Sequence, residues 1–404
     1  MTKSTNIQQD TDVPNGYKKT PLGVIPKEWE VKRLGDISTI NSGGTPSREK
    51  AEYWGGSIPW ITTSLLNYPT ITFAEEFITE KGLANSSTRM LNKGTLLMAM
   101  YGEGQTRGKV SQLLIDATTN QACASIEVSN GLTDFIFYAL NSKYEKIRSL
   151  SNDGGQKNLS LGLIKKIQIA LPTLPEQQKI AEILSTWDMA IEKQNALIEQ
   201  LELRKCGLMQ QLLTGKSRLR KASGERFKGE WKKARLGKIL DYEQPTPYLV
   251  KDSIYNDSFD IPVLTAGKTF ILGYTNEKNG IYNKVPVIIF DDFTTDTKYV
   301  DFPFKAKSSA MKILKCKENT NIKFVYEAMQ MIKYVVGGHE RHWISKFAHI
   351  SIPLPSLAEQ TAIAEVLSTV DREIEIEKQK LAALQNQKKG LMQVLLSGKI
   401  RVKI

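Results

Sequence analysis

The chain has 404 residues, 41% hydrophobic and 24% charged, and 55 Lys and Arg against 43 Asp and Glu give a formal net charge of +12. That length suits two or three domains with cores of their own, and no apolar run approaches the ~18 residues a membrane span needs. The three cysteines, Cys123, Cys206 and Cys316, are too scattered for a disulfide framework, and the basic excess favours a polyanionic partner, nucleic acid first.

In chain order, residues 1–20 are polar and lack an apolar signal core, so they are expected to be a disordered arm of a cytoplasmic protein. Residues 21–170 read as a first head. It opens with Trp29 followed by Leu34-Gly35, and its strand candidates are Thr95–Met100, Gln121–Val128 and Ile167–Leu171, with a helix expected over Leu132–Arg148. Residues 171–215 form a helical block, 216–230 a basic exposed linker, 231–353 a second head and 354–404 a second helical block. The second head repeats the opening as Trp231 and Leu236-Gly237. Its strand candidates are Ile261–Thr265, Val285–Phe290, Ser309–Leu314 and Ile350–Pro353, with a helix from Asn321 to Val335. The fold class expected is α+β: two mixed α/β heads separated by two long helices.

The helical blocks are one sequence written twice. Residues 171–219 and 354–402 align without gaps at an offset of 183, with 25 identities in 49 positions. In the first block Ile180, Leu184, Trp187, Ile191, Ile198, Leu201, Leu208 and Leu212 recur at alternating spacings of four and three, with Gln194 and Lys205 as polar members of the same seam. In the second, Ile363, Leu367, Val370, Ile374, Leu381, Leu384, Leu391 and Leu395 keep the register, with Glu377 and Lys388 at the matching polar positions. This is a coiled-coil pattern. An antiparallel intramolecular pair is expected, because it brings Gln194 and Glu377 together near the middle. Roughly 38 helical residues reach about 57 Å, or about one and a half turns of B-DNA. A generic dimerisation device is the competing reading of such a pair.

Residues suited to reading bases or gripping phosphates gather in a few loops. Arg suits guanine, Asn and Gln suit adenine, and Lys, Thr and Ser suit phosphates. In the first head the glycine-rich stretch from Tyr101 to Lys109 carries Gln105, Thr106 and Arg107; Gln156, Lys157 and Asn158 follow a glycine pair, and Thr62 and Thr63 are weaker candidates. In the second head the matching glycine pair precedes His339, Arg341 and His342, and Lys268, Tyr274 and Lys278 are further candidates. An ordinary polar surface loop is the plain alternative for each. No metal site is expected, since the three histidines lack a third ligand at a zinc spacing. No catalytic residue is assigned: there is no Asn/Asp-Pro-Pro-aromatic loop for an amino-methyltransferase, and Glu103 stands where a phosphate loop needs glycine.

The motifs LPTLPEQQKIAEIL and GLMQQLLTGK, their second copies LPSLAEQTAIAEVL and GLMQVLLSGK, SGGTPS at Ser42–Ser47, YWGGSIPWITT at Tyr53–Thr63, YEQPTPYLV at Tyr242–Val250 and HWISKF at His342–Phe347 together carry a resemblance. The chain resembles the specificity subunit of a type I restriction–modification system from about residue 20 onward. The resemblance implies a non-catalytic subunit whose two target-recognition domains each read half of a split double-stranded DNA sequence. Its helices are implied to set the gap and to dock two methyltransferase subunits, with restriction/translocase subunits joining them. S-adenosylmethionine, ATP and magnesium are implied to serve those partners. The second head lacks the GGTPS and YWGG…PW motifs, so an asymmetric target is expected. A stand-alone scaffold and a self-sufficient nuclease or methyltransferase are the alternative functions.

Overall fold

Among the described residues, four helices of nine or more residues organise the chain: α1 (Thr133–Asn141), α2 (Leu174–Leu212), α3 (Ile322–Gln330) and α4 (Leu357–Leu395). The computed structural model describes residues 13–102, 105–150, 158–267, 269–334 and 342–404. These divide into two units, Met1–Lys193 with Leu381–Ile404, and Gln194–Lys380. Among the described residues no helix is long and apolar enough to cross a membrane.

α2 and α4 are each 39 residues long. Pro175 stands at the second position of α2, where a missing N–H costs no intrahelical bond. Gly215 ends the block in the left-handed region (φ +72°), and the Ser217 N–H returns to the Gln211 carbonyl at 3.1 Å. Gly398 (φ +70°) does the same after α4, with Ile400 N–H on the Val394 carbonyl at 3.3 Å.

In both units the helices run antiparallel. In the first, Ile180 and Leu184 near the start of α2 share a core with Leu391 and Leu395 at the end of α4. In the second, Leu212 at the end of α2 packs with Ile363 and Leu367 near the start of α4, and Leu201 packs with Val370 and Ile374. Every expected seam residue is buried or half-buried. Gln194 donates its side-chain N–H to Glu377 Oε2 at 2.5 Å and to the Glu377 carbonyl at 3.1 Å. The two seam lysines are neutralised by the opposing helix. Lys205 pairs with Asp371 at 2.6 Å and Glu327 of α3 at 3.2 Å, and Lys388 pairs with Asp188. Burial pushes the Asp371 carboxyl up, but hydrogen bonds from Lys205 and Lys323 outweigh it and hold the pKa below its ordinary value.

The first unit's strands are β1 (Tyr17–Thr20), β2 (Gly23–Pro26), β3 (Glu30–Arg33), β4 (Ser38–Ser42), β5 (Trp54–Ile61), β6 (Thr70–Ile71), β7 (Glu76–Ile78), β8 (Leu96–Ala99), β9 (Val110–Leu113), β10 (Thr118–Thr119), β11 (Cys123–Val128) and β12 (Gln168–Leu171). They build a five-stranded sheet in the order β4-β11-β8-β9-β6, a three-stranded sheet β10-β5-β7, and the pairs β1-β2 and β12-β3. The second unit holds β13 (Lys232–Arg235), β14 (Leu240–Glu243), β15 (Ile261–Leu264), β16 (Ile271–Thr275), β17 (Val287–Asp291), β18 (Thr297–Val300), β19 (Lys305–Ala306), β20 (Met311–Cys316) and β21 (Ser351–Leu354). Their orders are β14-β20-β17-β18, β16-β15-β19 and β13-β21. Apart from the added edge strand β6 of the first head, two heads of divergent sequence therefore share one topology, down to a parallel pairing of a two-residue strand with its longer neighbour (β10 with β5, β19 with β15).

Three expectations are corrected. The arm expected over 1–20 is not all arm: Tyr17–Thr20 pairs with Gly23–Pro26, and the Tyr17 hydroxyl donates to the Gly398 carbonyl at 3.0 Å; residues 1–12 lie outside the described residues. The helix expected over Leu132–Arg148 breaks after Asn141, where the Asn141 amide and Ser142 hydroxyl bond back to the Phe137 and Ala139 carbonyls and take over the helix end. Its counterpart stops at Gln330. The linker 216–230, expected to be exposed, is mostly so but is tied to the second unit at two points. Phe227 is buried, and Arg218 grips Glu359 at 2.6 and 2.7 Å.

That last contact has a twin. In the second unit Glu359, in the first turn of α4, accepts from Arg218 and from Trp231 Nε1 at 3.2 Å. In the first unit Glu176, in the first turn of α2, accepts from Arg401 at 2.6 and 3.0 Å and from Trp29 Nε1 at 2.9 Å. Each helix start is thus clasped by the opening tryptophan of a head and by an arginine that follows the other helix. A carboxylate also suits the positive end of a helix dipole.

Candidate nucleic-acid interface

In the first head, backbone hydrogen bonds bring five separate segments to one edge. Gly44 N–H donates to Thr119 O at 2.9 Å, Asn120 N–H to Ile61 O at 3.1 Å, and Met100 N–H to Ala122 O at 2.9 Å. Leu159 N–H donates to Met100 O at 2.9 Å and Gly108 N–H to Ala99 O at 2.9 Å. Residues after Ser42, after Ile61, from Tyr101 to Lys109, at Asn120–Ala122 and at Asn158–Leu159 therefore leave the sheets side by side. The SGGTPS and YWGGSIPW motifs build this edge. A Cβ on Gly43 would stand 2.0 Å from Thr119 O, so only glycine lets the two turns touch. Trp60 Nε1 fixes the Gly44 carbonyl at 3.0 Å, and Trp60 meets Trp54 edge-on at 5.0 Å. The Arg48 guanidinium lies 3.6 Å from the Trp54 ring centroid while bonding Glu76.

The described residues expected to read DNA in this head fall on or beside that edge, with different freedom. Tyr101 and Gln105 are exposed. Thr62 and Thr63 are half-buried, and the Thr62 hydroxyl shares a hydrogen bond with Ser64, which donates to Glu75 at 3.0 Å. Lys109 is half-buried and spends a hydrogen bond on Asn67 Oδ1 at 2.8 Å; Thr106 and Asn158 are also half-buried. Arg107 corrects the expectation of an outward reader: its guanidinium donates to the Arg148 carbonyl at 2.9 Å and its Nε is buried. Gln156 and Lys157 lie outside the described residues.

The second head forms the equivalent edge from different side chains. Lys307 N–H donates to Leu264 O at 2.9 Å, Asp292 N–H to Ala310 O at 3.3 Å and His342 N–H to Asp292 O at 3.0 Å. These repeat the Asn120, Met100 and Leu159 contacts of the first head. His342 is a correction: it occupies the place of Leu159 and is fully buried, packed 5.7 Å from the Tyr334 ring. It cannot touch a duplex. Tyr274 and Lys278 are placed apart from this edge. They sit at the far end of the β15–β16 hairpin, where Pro262 faces Tyr274, away from the turn that follows Leu264. Lys268, His339 and Arg341 lie outside the described residues. Where the first head has Gly43-Gly44, Gln244-Pro245 follows β14. Beside it, hydrogen bonds from Lys315 and from the Tyr248 hydroxyl hold the Glu243 carboxyl below its ordinary range.

Sequence reasoning missed the turns after the short strands, Asn120-Gln121 in the first head and exposed Lys307-Ser308-Ser309 in the second. Two-residue strands such as Thr118–Thr119 and Lys305–Ala306 leave almost no periodicity to read. The signal available was the run of small polar residues before each following strand.

The family profile described as "Type I restriction modification DNA specificity domain" matches residues 26–203 and 228–386. The chain belongs to this family of type I restriction–modification specificity subunits. It is 54% identical over 145 residues to the EcoR124I/EcoR124II specificity subunit of Escherichia coli, covering 33% of this chain and 36% of that one. It is 36% identical over 199 residues to the MjaIX specificity subunit of Methanocaldococcus jannaschii, covering 46% and 45%. The chain thus matches less than half the length of these two relatives. The MjaVIII specificity subunit of the same archaeon is 25% identical over 416 residues, 94% of both chains. The crystal structure of the type I S subunit from M. genitalium shares the fold, with a TM-score of 0.60 at 16% identity over 93% of this chain and 96% of that one.

Proposed function

We propose that this chain is the sequence-specific DNA-binding subunit of a type I restriction–modification complex, and that its two heads read the unlike halves of an asymmetric bipartite duplex target. The observation that carries this is one topology presented twice with different side chains on the equivalent edge: Thr45, Asn120 and Gln121 in one head, Gln244, Lys307 and Ser308 in the other. A shared frame with divergent edge residues is what two readers of different sequences require. The net charge of +12 supports phosphate contact around those readers. The chain itself carries out no chemistry in this reading. It works in the cytoplasm, where its helical surfaces dock two methyltransferase subunits and the restriction/translocase subunits assemble on them. S-adenosylmethionine, ATP and magnesium belong to those partners.

The test is duplex binding by the purified chain as salt is raised. Replacement of counterions by lysines and arginines makes affinity fall at least about a hundredfold between roughly 50 and 200 mM salt. A flat response, or no binding, would leave the chain a protein scaffold.

A further inference from the structure

On the recognition edge of the first head, three of the polar side chains expected to read bases already have partners. Lys109 is held by Asn67, Arg107 by the Arg148 carbonyl, and Thr62 by Ser64. Gln121 differs. It is exposed, and its Oε1 accepts from the Thr45 hydroxyl at 2.5 Å, while among the described residues nothing accepts from its amide nitrogen. The turn beneath it is fixed at every peptide. Asn120 N–H is held by Ile61 O at 3.1 Å, Ala122 N–H by Asn120 Oδ1 at 3.0 Å, and Ala122 O by Met100 N–H at 2.9 Å. Gly44 N–H holds Thr119 O at 2.9 Å, and Gly43 abuts Thr119 and Asn120 so closely that no side chain fits between them.

We propose that Gln121 reads an adenine in the half-site of the first head, and that Thr45 is its positioning residue. One lone pair of Oε1 is taken by Thr45; the other lone pair and the two amide hydrogens remain. That leaves a donor and an acceptor side by side, the complement of adenine N7 and N6–H in the major groove. Because the hydroxyl fixes which way the carboxamide points, the pair is presented in one orientation without the ordering cost of a free glutamine. The inference rests on the DNA-recognition reading above.

Selection from a pool of random duplexes by the full chain tests both. Wild type is expected to enrich two half-sites. Gln121→Ala is expected to retain the second half-site unchanged and to lose roughly tenfold to a hundredfold preference at one A·T position of the first. Thr45→Val, which keeps the shape and removes the hydroxyl, is expected to weaken preference at that same position, with affinity for unselected duplex unchanged. An unaltered first half-site in Gln121→Ala overturns the assignment while leaving DNA recognition standing, as does loss of a position that is G·C. A Thr45→Val variant that weakens binding to all duplexes equally overturns the positioning role. Failure of wild type to enrich any sequence overturns the underlying reading.

Discussion

Arg218→Ala is expected to destabilise the second unit by roughly 3 kcal/mol, the usual consequence of removing one partner from a buried ion pair. The Glu359 side chain is 2% exposed and that of Arg218 23%. The guanidinium makes two hydrogen bonds to the carboxylate at 2.6 and 2.7 Å and a third to the Gly229 carbonyl at 3.0 Å. Its hydrogen bond to Glu359 pushes the arginine pKa further up, so the guanidinium stays charged at any working pH. Deleting it leaves a buried carboxylate with Trp231 Nε1 as its remaining side-chain donor. The segment after α2 is pinned by the same contact, so the loss should reach Trp231 and the core around Phe324, whose ring lies 6.4 Å away. Chemical denaturation followed by tryptophan fluorescence measures the effect, with exposed Lys216→Ala as the control expected to change nothing. An unchanged midpoint in Arg218→Ala would show that the clasp contributes no net stability.

Lengthening both long helices is expected to lengthen the unread gap in the DNA target and leave both half-sites alone. α2 and α4 each contribute residues to both units, and Gln194 meets Glu377 near the middle of their seam. Insertion of one heptad after Gln194 and one after Ile376 places the new segments opposite each other in an antiparallel pair and preserves the apolar register. Seven residues add about 10.5 Å, which corresponds to about 3 base pairs of duplex. Insertion in one helix alone breaks the register of Leu201, Val370 and Ile374 and is expected to cost stability instead. Duplex selection with the doubly extended chain reads the gap. An unchanged gap, or an altered half-site, would remove the helices from the role of spacer.

The helices were legible because their chemistry is local and periodic. A seam at alternating spacings of three and four, repeated at a fixed offset, specifies length, register and even the Gln194–Glu377 meeting. The central strands of each head were legible for a similar reason, as runs such as Val287–Phe290 are apolar throughout. The recognition edge was less so. Arg107 looks like an outward reader until the Arg148 carbonyl is seen to hold it, and His342 looks like a surface ligand until it is seen in the place of Leu159. Both are decided by partners 41 and 50 residues away in the chain, which no local pattern encodes. The twin clasps were present in the repeat as Glu176 with Glu359 and Arg218 with Arg401. Their meaning appears only once each glutamate is seen to face the arginine that follows the other helix.

The most direct measurement is a genome-wide map of methylated adenines in cells that carry this chain with the methyltransferase subunits proposed to dock on it. The expected result is one bipartite motif with two different half-sites at a single fixed gap. A palindromic motif, a continuous one, or no motif that depends on the chain would contradict two unlike readers on one frame.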